Sequence, residues 1–249
     1  MKIYPLYIFD LDGTLFRGQE PLPYARDVLA ELRSRGASVR FLTNNSSVTP
    51  EAYVAKLRGM GFQCDVSEMF SSAMGAATLL AGSVSTAFVV GEVGISSALS
   101  AQGISVLTGT SALADAVVVG ICRSFTYDWM NEALQHLLSG ARFVATNRDA
   151  TYPMEGGRVV PGAGAIVASL VTCSGREPET VGKPSPYLVE MILASAGVQP
   201  EECLVVGDRY DTDILAGLAA GCPVHLVLTG VSREAPEGVP WSADLRGLL

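Results

Sequence analysis

The chain has 249 residues, 49% hydrophobic and 17% charged, which is enough for one large domain or two modest ones with a substantial core. Its net charge of −8 disfavours nucleic-acid binding, since an acidic surface repels the phosphate backbone. No segment approaches the roughly 20 consecutive apolar residues of a membrane-spanning helix, and no signal-peptide pattern is present. We therefore expect a cytoplasmic protein that binds neither nucleic acid nor membranes.

The cysteines are five in number and scattered: Cys64, Cys122, Cys173, Cys203 and Cys222. No CxxC motif and no Cys/His pairing indicates a zinc site. In a reducing cytoplasm the expected state is a set of buried free thiols.

Short apolar segments alternate with helical patterns from the N-terminus onward. A strand is expected at 3–9, a helix at 22–35, a strand at 39–45 and a helix at 50–60. Strands that alternate with helices indicate a parallel sheet covered on both faces.

The same alternation continues to the C-terminus. Strands are expected at 86–91, 116–121, 142–147, 203–208 and 223–230, and helices at 127–140, 162–174 and 212–220. Residues 181–198 are expected to form a turn and then a helix. No repeat of fixed period is present, so we expect one α/β unit interrupted by a second.

Three of the expected strands end in polar clusters. These are D-L-D-G-T at 10–14, T-N-N-S at 43–46 and G-D-R-Y-D-T-D at 207–213. Ligands of open parallel sheets bind beyond the carboxyl ends of the strands, so the three clusters can converge although they are distant in sequence.

The acidic residues of these clusters indicate phosphoryl transfer at a metal site. Asp10, Asp12 and Asp208 would repel one another without a cation between them, and ligands that are all oxygen favour Mg²⁺. One carboxylate can attack phosphorus while a second protonates the leaving oxygen and later activates water. Thr43 and Lys183 can hold the phosphoryl oxygens, whose charge the metal neutralises. Taken alone, a pair of Asp residues after a strand is also a common turn.

The sequence resembles the haloacid dehalogenase superfamily, within it the NagD-like branch of p-nitrophenyl and nucleotide phosphatases. Four motifs of the superfamily are similar to F-D-L-D-G-T-L, L-T-N-N-S-S, G-K-P-S-P and V-V-G-D-R-Y-D-T-D-I-L-A-G. Parts of the branch's cap are similar to V-V-V-G-I-C-R-S-F-T-Y, F-V-A-T-N-R-D-A-T-Y-P and V-V-P-G-A-G-A-I-V. The resemblance implies an α/β fold, with a Rossmann-like parallel-sheet core at 1–77 and 181–249 and an inserted α/β cap domain at 78–180. The linkers near Thr78 and Thr180 would act as hinges.

The resemblance also implies the catalytic and metal-binding roles. Asp10 would be the nucleophile and a metal ligand. Asp12 would be the general acid/base and would bind the metal through its backbone carbonyl. Asp208 would be a further ligand, and Asp213 would support the metal site through water or through Lys183.

The phosphate would be bound by Thr43, Asn44 and Lys183. For the cap segment at 146–153 two alternatives stay open. It is either a surface loop in which Asn147 and Asp149 bond their own backbone, or a contact to the substrate beyond its phosphate. The second alternative makes Asn147, Asp149 and Tyr152 substrate-selecting residues.

The predicted function is therefore a Mg²⁺-dependent phosphatase, a phosphoric monoester hydrolase that acts on a small phosphorylated metabolite through an aspartyl-phosphate. One alternative is a metal-independent dehalogenase, which generally lacks an acidic residue at the position of Asp12. Another is a non-enzymatic phospho-accepting module, in which the inserted segment would be superfluous. The choice between sugar phosphates, nucleotides, phosphoglycolate and pyridoxal phosphate stays open. Cys122 stands where some relatives carry an acidic residue.

Two histidines and one helix stripe have simpler interpretations than catalysis. His136 is expected to face solvent or cap its helix, and His225 to be a hydrogen-bonded core histidine. The stripe Trp129, Ala133 and Leu137 fits core packing or a cap–cap interface in a homodimer.

Overall fold

The structure is a computed structural model of the chain, and it describes residues 3–153 and 158–249. The chain forms two compact units. The first comprises Met1–Thr43, Pro50–Phe70 and Lys183–Leu249, and the second comprises Asn44–Thr49 and Ser71–Gly182. No helix in the described residues is long and apolar enough to cross a membrane.

The described strands and helices alternate along most of the chain. The strands are β1 (Leu6–Asp10), β2 (Phe16–Arg17), β3 (Glu20–Pro21), β4 (Ser38–Thr43), β5 (Met69–Ser71), β6 (Thr86–Val90), β7 (Ser105–Leu107), β8 (Ala116–Val119), β9 (Arg142–Ala145), β10 (Thr151–Pro153), β11 (Val159–Pro161), β12 (Glu179–Thr180), β13 (Cys203–Gly207), β14 (Val224–Val227) and β15 (Trp241–Ser242). The α-helices are α1 (Ala25–Ser34), α2 (Pro50–Gly59), α3 (Ser72–Leu80), α4 (Val93–Ala101), α5 (Tyr127–Leu138), α6 (Ala163–Ser174), α7 (Tyr187–Ala196) and α8 (Leu215–Ala219).

The first unit is built on a six-stranded sheet in the order β15-β14-β13-β1-β4-β5. β1 pairs in parallel with β13 on one side and with β4 on the other. Its residues Leu6–Phe9 are completely or almost completely buried, as expected for a strand covered on both faces. Since the chain leaves β1 toward β4 and returns on the opposite side at β13, the carboxyl end of β1 is the switch point where such sheets bind ligands.

The second unit has its own five-stranded sheet in the order β12-β9-β8-β6-β7. The four pairs of neighbouring strands in this sheet, within the described residues, are all parallel. Its hydrophobic core joins the sheet to α5 and α6, with Phe88, Val117 and Phe143 from the strands and Leu137 and Leu170 from the helices. A separate antiparallel hairpin pairs β10 with β11.

The boundaries of the second unit follow its packing. Its main segment begins at Ser71, and residues 44–49 belong to it as well. Within this unit α3 packs on α4. Thr78 therefore lies inside α3, and Thr180 lies in β12. The assignment of a core at 1–77 and 181–249 and a hinged cap at 78–180 stays a prediction; residues 1, 2 and 154–157 of these ranges are outside the described part.

Of the predictions for the two histidines, one is confirmed and one is wrong. His225 is buried and its Nε2 lies 2.8 Å from the Ser242 hydroxyl, so the core interpretation is confirmed. The expectation that His136 faces solvent or caps its helix is wrong. Its ring is buried, its Nδ1 accepts a hydrogen bond from the Ala114 N–H, and its Nε2 donates to the Gly109 carbonyl. The loop before β8 covers this face of α5, which the helix sequence alone does not indicate.

The helix stripe and the thiols are also placed by the structure. Ala133 and Leu137 belong to the core of the second unit and Trp129 packs against it, which confirms core packing. A homodimer through the cap stays a prediction. All five cysteines are free, as predicted, but Cys173 is exposed rather than buried, since the last buried residue of α6 is Leu170.

Candidate active site

Three adjacent strands of the first unit end at residues predicted for the site. Asp10 is the last residue of β1, Thr43 is the last residue of β4, and Asp208 directly follows β13. In the parallel register, Phe9 is opposite Val206 and Asp10 is opposite Leu42, so the three strand ends are aligned. The alignment places polar side chains at one edge of an apolar sheet.

A buried lysine links two of the carboxylates. The Lys183 ammonium donates to Asp10 Oδ1 at 2.6 Å and to Asp213 Oδ1 at 2.5 Å. The side chains of Lys183, Asp10 and Asp213 are only 4%, 12% and 3% exposed. Asp213 comes from a π-helical turn at Tyr210–Ile214, and its Oδ2 accepts the Arg209 N–H at 3.0 Å. The two carboxylates raise the pKa of Lys183 against the opposing effect of burial.

Asp208 is held by the backbone around it. Its Oδ2 accepts the Val231 N–H at 2.6 Å, and the Thr14 hydroxyl lies 3.5 Å from both Asp208 Oδ1 and Asp10 Oδ2. Gly13 has φ +89°, and a Cβ there would lie 2.6 Å from Asp208 Oδ2. The DxDGT turn therefore requires glycine for its backbone conformation and for the close approach of Asp208.

The site has more negative than positive charge. Carboxylate oxygens of Asp10, Asp208 and Asp213 lie within 4.8 Å of one another, and Lys183 is the ammonium bonded to two of them. Burial and the other two carboxylates raise the pKa of Asp10 well above its ordinary value, against the attraction of Lys183. Burial, followed by Asp213, raises the pKa of Asp208 to about 6. This oxygen-only set, which costs free energy when ionised, fits a hard divalent cation such as Mg²⁺.

Asp12 differs from the other predicted acids. Its side chain is exposed and is not among the clustered carboxylates, while its backbone forms a bridge with Phe16. The carboxyl reaches solvent, yet desolvation by neighbouring protein atoms raises the pKa of Asp12, and the ammonium groups of Lys56 and Lys183 oppose that rise. A carboxyl that keeps its proton more readily and remains accessible is suited to proton transfer.

The remaining predicted residues lie in the second unit, apart from the buried Thr43. Asn44 follows Thr43 and bonds to both Asn147 and Asp149. Tyr152, on β10, is half-buried and accepts a hydrogen bond from Arg123 Nε at 3.3 Å. The structure thus brings Asn147 and Asp149 to Asn44, and places Tyr152 beside an arginine.

Sequence reasoning missed several residues of the site. Thr14 is part of the DxDGT motif but was not assigned a role, although it lies between two carboxylates. The Val231 N–H could not be found, because a backbone donor carries no side-chain signal and Val231 is 23 positions from Asp208. Arg123 and its partner Glu92 also gave no signal, since an arginine after a strand is usually solvated.

Comparisons with known proteins agree with this geometry. The profile of a family described as haloacid dehalogenase-like hydrolase matches residues 7–105, and a HAD-hydrolase-like profile matches residues 180–244. The 5′-nucleotidase YutF of Bacillus subtilis is 38% identical over 236 residues, which cover 94% of this chain and 91% of that protein.

Solved structures match over nearly the whole chain. The p-nitrophenyl phosphatase of Archaeoglobus fulgidus has a TM-score of 0.91 at 30% identity and covers 99% of this chain and 98% of its own. The glycerol phosphate phosphatase of Mycobacterium tuberculosis, solved in complex with magnesium, has a TM-score of 0.91 at 35% identity, covering 99% and 76%. The predicted fold class, a parallel-sheet core with an inserted α/β cap domain, is confirmed.

Proposed function

Because the chain belongs to the haloacid dehalogenase-like hydrolases, we propose that it is a Mg²⁺-dependent phosphatase that forms an aspartyl-phosphate on Asp10. Its predicted enzyme class, a phosphoric monoester hydrolase, is confirmed by relatives that are phosphatases and a nucleotidase. The metal, the intermediate and the roles of individual residues are proposals. The observation that carries them is the buried group of Asp10, Asp208, Asp213 and Lys183 at the end of β1.

The donor set supports Mg²⁺ as the cofactor. Asp10 and Asp208 would hold the ion through their carboxylates and Asp12 through its backbone carbonyl, while Asp213 would hold Lys183 beside them. When bound, Mg²⁺ neutralises charge on the phosphoryl oxygens and on the attacking carboxylate. None of these ligands is a histidine or a cysteine, which agrees with an ion that prefers oxygen.

The first chemical step uses two residues of the DxDGT turn. A carboxylate oxygen of Asp10 attacks the phosphorus while the bond from phosphorus to the leaving oxygen breaks. Asp12 gives its proton to that oxygen, and the alcohol leaves with the phosphoryl group bonded to Asp10. The raised pKa of Asp12 favours the protonated form that this step requires.

The second step returns the enzyme to its starting state. A water molecule attacks the phosphorus of the aspartyl-phosphate, and Asp12 accepts its proton. The bond from phosphorus to Asp10 breaks, and inorganic phosphate leaves. Throughout, Thr43, Asn44 and Lys183 would bind the phosphoryl oxygens, with the Lys183 ammonium already held by two carboxylates.

The substrate beyond its phosphate is a small metabolite. The relatives' names refer to a nucleotide, p-nitrophenyl phosphate and glycerol phosphate, which share only the phosphomonoester. Selection would then depend on side chains outside the carboxylate group, for which Asn147, Asp149 and Tyr152 were the predicted residues. Their contacts separate them into two groups, one around Asn44 and one beside Arg123.

The alternatives fit less well. A metal-independent dehalogenase would need neither Asp12 nor three clustered carboxylates that repel one another without a cation. A phospho-accepting module would need no acid/base to hydrolyse its phosphoryl group and no second unit with a sheet of its own.

One set of assays separates these functions. Phosphate release from p-nitrophenyl phosphate, a nucleoside monophosphate, glycerol 3-phosphate and a sugar phosphate is measured with Mg²⁺ and after removal of Mg²⁺ by EDTA. Turnover with Mg²⁺ that EDTA abolishes and added Mg²⁺ restores is expected. Halide release from a 2-haloacid in EDTA would establish the dehalogenase, and a stable phosphoprotein without turnover would establish the module.

A further inference from the structure

The segment that follows β4 is bonded within the second unit. The carbonyl oxygen of Asn44 accepts two hydrogen bonds, one from the Ser72 hydroxyl at 2.5 Å and one from Asn147 Nδ2 at 2.7 Å. Ser72 is completely buried, and Asn147 is 5% exposed. Both lone-pair directions of this carbonyl are therefore used, and the donors themselves cannot move without losing buried partners.

The side chain of Asn44 is fixed as well. Its Nδ2 donates to Asp149 Oδ2 at 3.2 Å. The Asn147 side chain, which donates to the Asn44 carbonyl, also accepts the Asp149 N–H at 3.1 Å through its Oδ1. Asn147 and Asp149 thus support each other, and each bonds a different part of Asn44.

The chain at Gly182 packs closely against the same residues. A Cβ placed on Gly182 would lie 2.8 Å from Asn44 Oδ1 and 2.9 Å from the Asn147 Cβ, and it would also collide with the Thr146 carbonyl. Only glycine permits this close packing. We call Asn44, Ser72, Asn147, Asp149 and Gly182 the Asn44 cluster; all five belong to the second unit.

The position of the Asn44 cluster in the chain gives it a consequence for phosphate binding. Asn44 directly follows Thr43, and Gly182 directly precedes Lys183. A peptide is planar and trans, so fixing the Asn44 carbonyl also fixes the direction of the Asn45 N–H, which points the opposite way. The cluster therefore orients the peptide after Asn44 and packs tightly on Gly182, and these two residues are the chain neighbours of Thr43 and Lys183.

We propose that Asn147 and Asp149 are positioning residues that act on phosphate binding through Asn44, and that they do not select the substrate. This proposal rests on the proposed function, in which Thr43, Asn44 and Lys183 bind the phosphoryl group. It assigns the two residues a role that is independent of the leaving group, because every phosphomonoester presents the same phosphoryl oxygens.

The test uses substitutions of the side-chain groups that bond Asn44. Asn147→Asp keeps the side-chain shape but replaces the donor to the Asn44 carbonyl with an acceptor. Asp149→Ala removes the acceptor for Asn44 Nδ2, whereas Asp149→Asn retains a carbonyl oxygen there. Arg148→Gln is the matched control: Arg148 lies between the two residues, is exposed, and pairs with Glu177 rather than with Asn44.

Two substrates and one binding measurement are compared for each variant. In Asn147→Asp and Asp149→Ala, kcat/KM for p-nitrophenyl phosphate and for glycerol 3-phosphate should fall by the same factor, about 10- to 100-fold. The Kd for inorganic phosphate with Mg²⁺, measured by calorimetry, should rise in parallel. Asp149→Asn should retain most of the phosphate affinity, and Arg148→Gln should match the wild type.

Unequal losses for the two substrates, with an unchanged Kd for inorganic phosphate, would overturn the proposal in favour of substrate selection. Equal losses with an unchanged Kd would overturn it too, since positioning must act on the phosphate. Should Asn147→Asp fail to fold, as judged from its Tm, the pair Asp149→Ala and Asp149→Asn decides. If the wild type binds phosphate but hydrolyses no phosphomonoester, the proposed function fails, while the phosphate Kd series still tests the positioning role.

Discussion

Each unit of the molecule contains a network of basic and acidic side chains, and the two networks differ in their exposure to solvent. In the first unit, Lys183 bonds Asp10 and Asp213 where none of the three side chains is more than 12% exposed. In the second, the Arg123 guanidinium donates to both carboxylate oxygens of Glu92, at 2.7 and 2.6 Å, where the two side chains are 54% and 26% exposed. The first network removes charges from water, and the second leaves them largely hydrated.

This difference supports the proposal that the buried network carries the chemistry. Burying several charges together costs free energy that their attraction seldom recovers, so such a group is kept for function rather than for stability. An exposed pair contributes about 0–1 kcal/mol and can be exchanged at little cost to the fold. The buried network is therefore suited to a fixed reaction, and the exposed one, which holds Tyr152, to a feature that differs between substrates.

The largest expected effect comes from replacing Asp10, the proposed nucleophile in the buried network. Asp10→Asn should lower kcat by on the order of 10⁴- to 10⁶-fold, because an amide is a far poorer nucleophile. The fold should survive, since the amide removes a carboxylate whose pKa is raised by burial and by the neighbouring Asp213 and Asp208. Phosphate release and the Tm in EDTA are the measurements. Near-normal turnover would contradict the covalent mechanism, and a lower Tm would contradict the electrostatic argument.

A smaller loss of turnover is expected from replacing Asp12, two residues after Asp10. Asp12→Asn should lower kcat by about 10²- to 10⁴-fold, the usual contribution of a positioned acid/base. Because its side chain is exposed and outside the carboxylate group, Mg²⁺ affinity should hardly change. Single-turnover kinetics with p-nitrophenyl phosphate and a Mg²⁺ titration test this. A large loss of Mg²⁺ affinity would mean that the Asp12 carboxyl is itself a ligand.

Much of the site in the first unit could be predicted from sequence. The strands expected at 3–9, 39–45 and 203–208 appear as β1, β4 and β13, and their polar ends identified Asp10, Thr43 and Asp208. Buried parallel strands are continuous apolar runs with abrupt polar ends, which is a strong signal. The bonds from the Val231 N–H and the Thr14 hydroxyl were not predicted, because they depend on tertiary contacts.

The second unit was harder to predict. The helices α3 and α4 were missed because their sequences, S-A-M-G-A-A-T-L-L and V-G-I-S-S-A-L-S-A, are made mostly of small residues. These helices pack against each other, so they lack the alternation of apolar and polar faces that indicates a helix. The bonds of Asn147 and Asp149 to Asn44 join positions more than 100 residues apart, and no local pattern reports them.

Stability measurements compare the two networks directly. Lys183→Met should lower the free energy of unfolding in EDTA by about 3–5 kcal/mol, because it leaves buried carboxylates without their cation. Arg123→Gln should change it by about 0–1 kcal/mol, since both partners stay hydrated. Urea denaturation followed by circular dichroism gives both values.

Arg142→Gln serves as the control for that comparison. Arg142 pairs with Glu179 within the second unit, with side chains 33% and 51% exposed. In the described part of the chain it forms no hydrogen bond with Tyr152. It should match Arg123→Gln in stability. Equal destabilisation by Lys183→Met and Arg123→Gln would show that burial does not distinguish the two networks.

The smallest effect should appear where the exposed network meets Tyr152. The Tyr152 hydroxyl accepts from Arg123 Nε at 3.3 Å, and Glu92 holds the guanidinium, so the ring position depends on an exposed ion pair. Tyr152→Ala should raise KM for the best metabolite by roughly tenfold, about the free energy of one lost hydrogen bond, and barely change Mg²⁺ affinity. For p-nitrophenyl phosphate kcat/KM should fall less, because its leaving group offers fewer polar contacts. Arg123→Gln should shift the same ratio in the same direction, whereas Arg142→Gln should not. If both substrates lose kcat/KM equally, or if neither does, Tyr152 does not select the substrate.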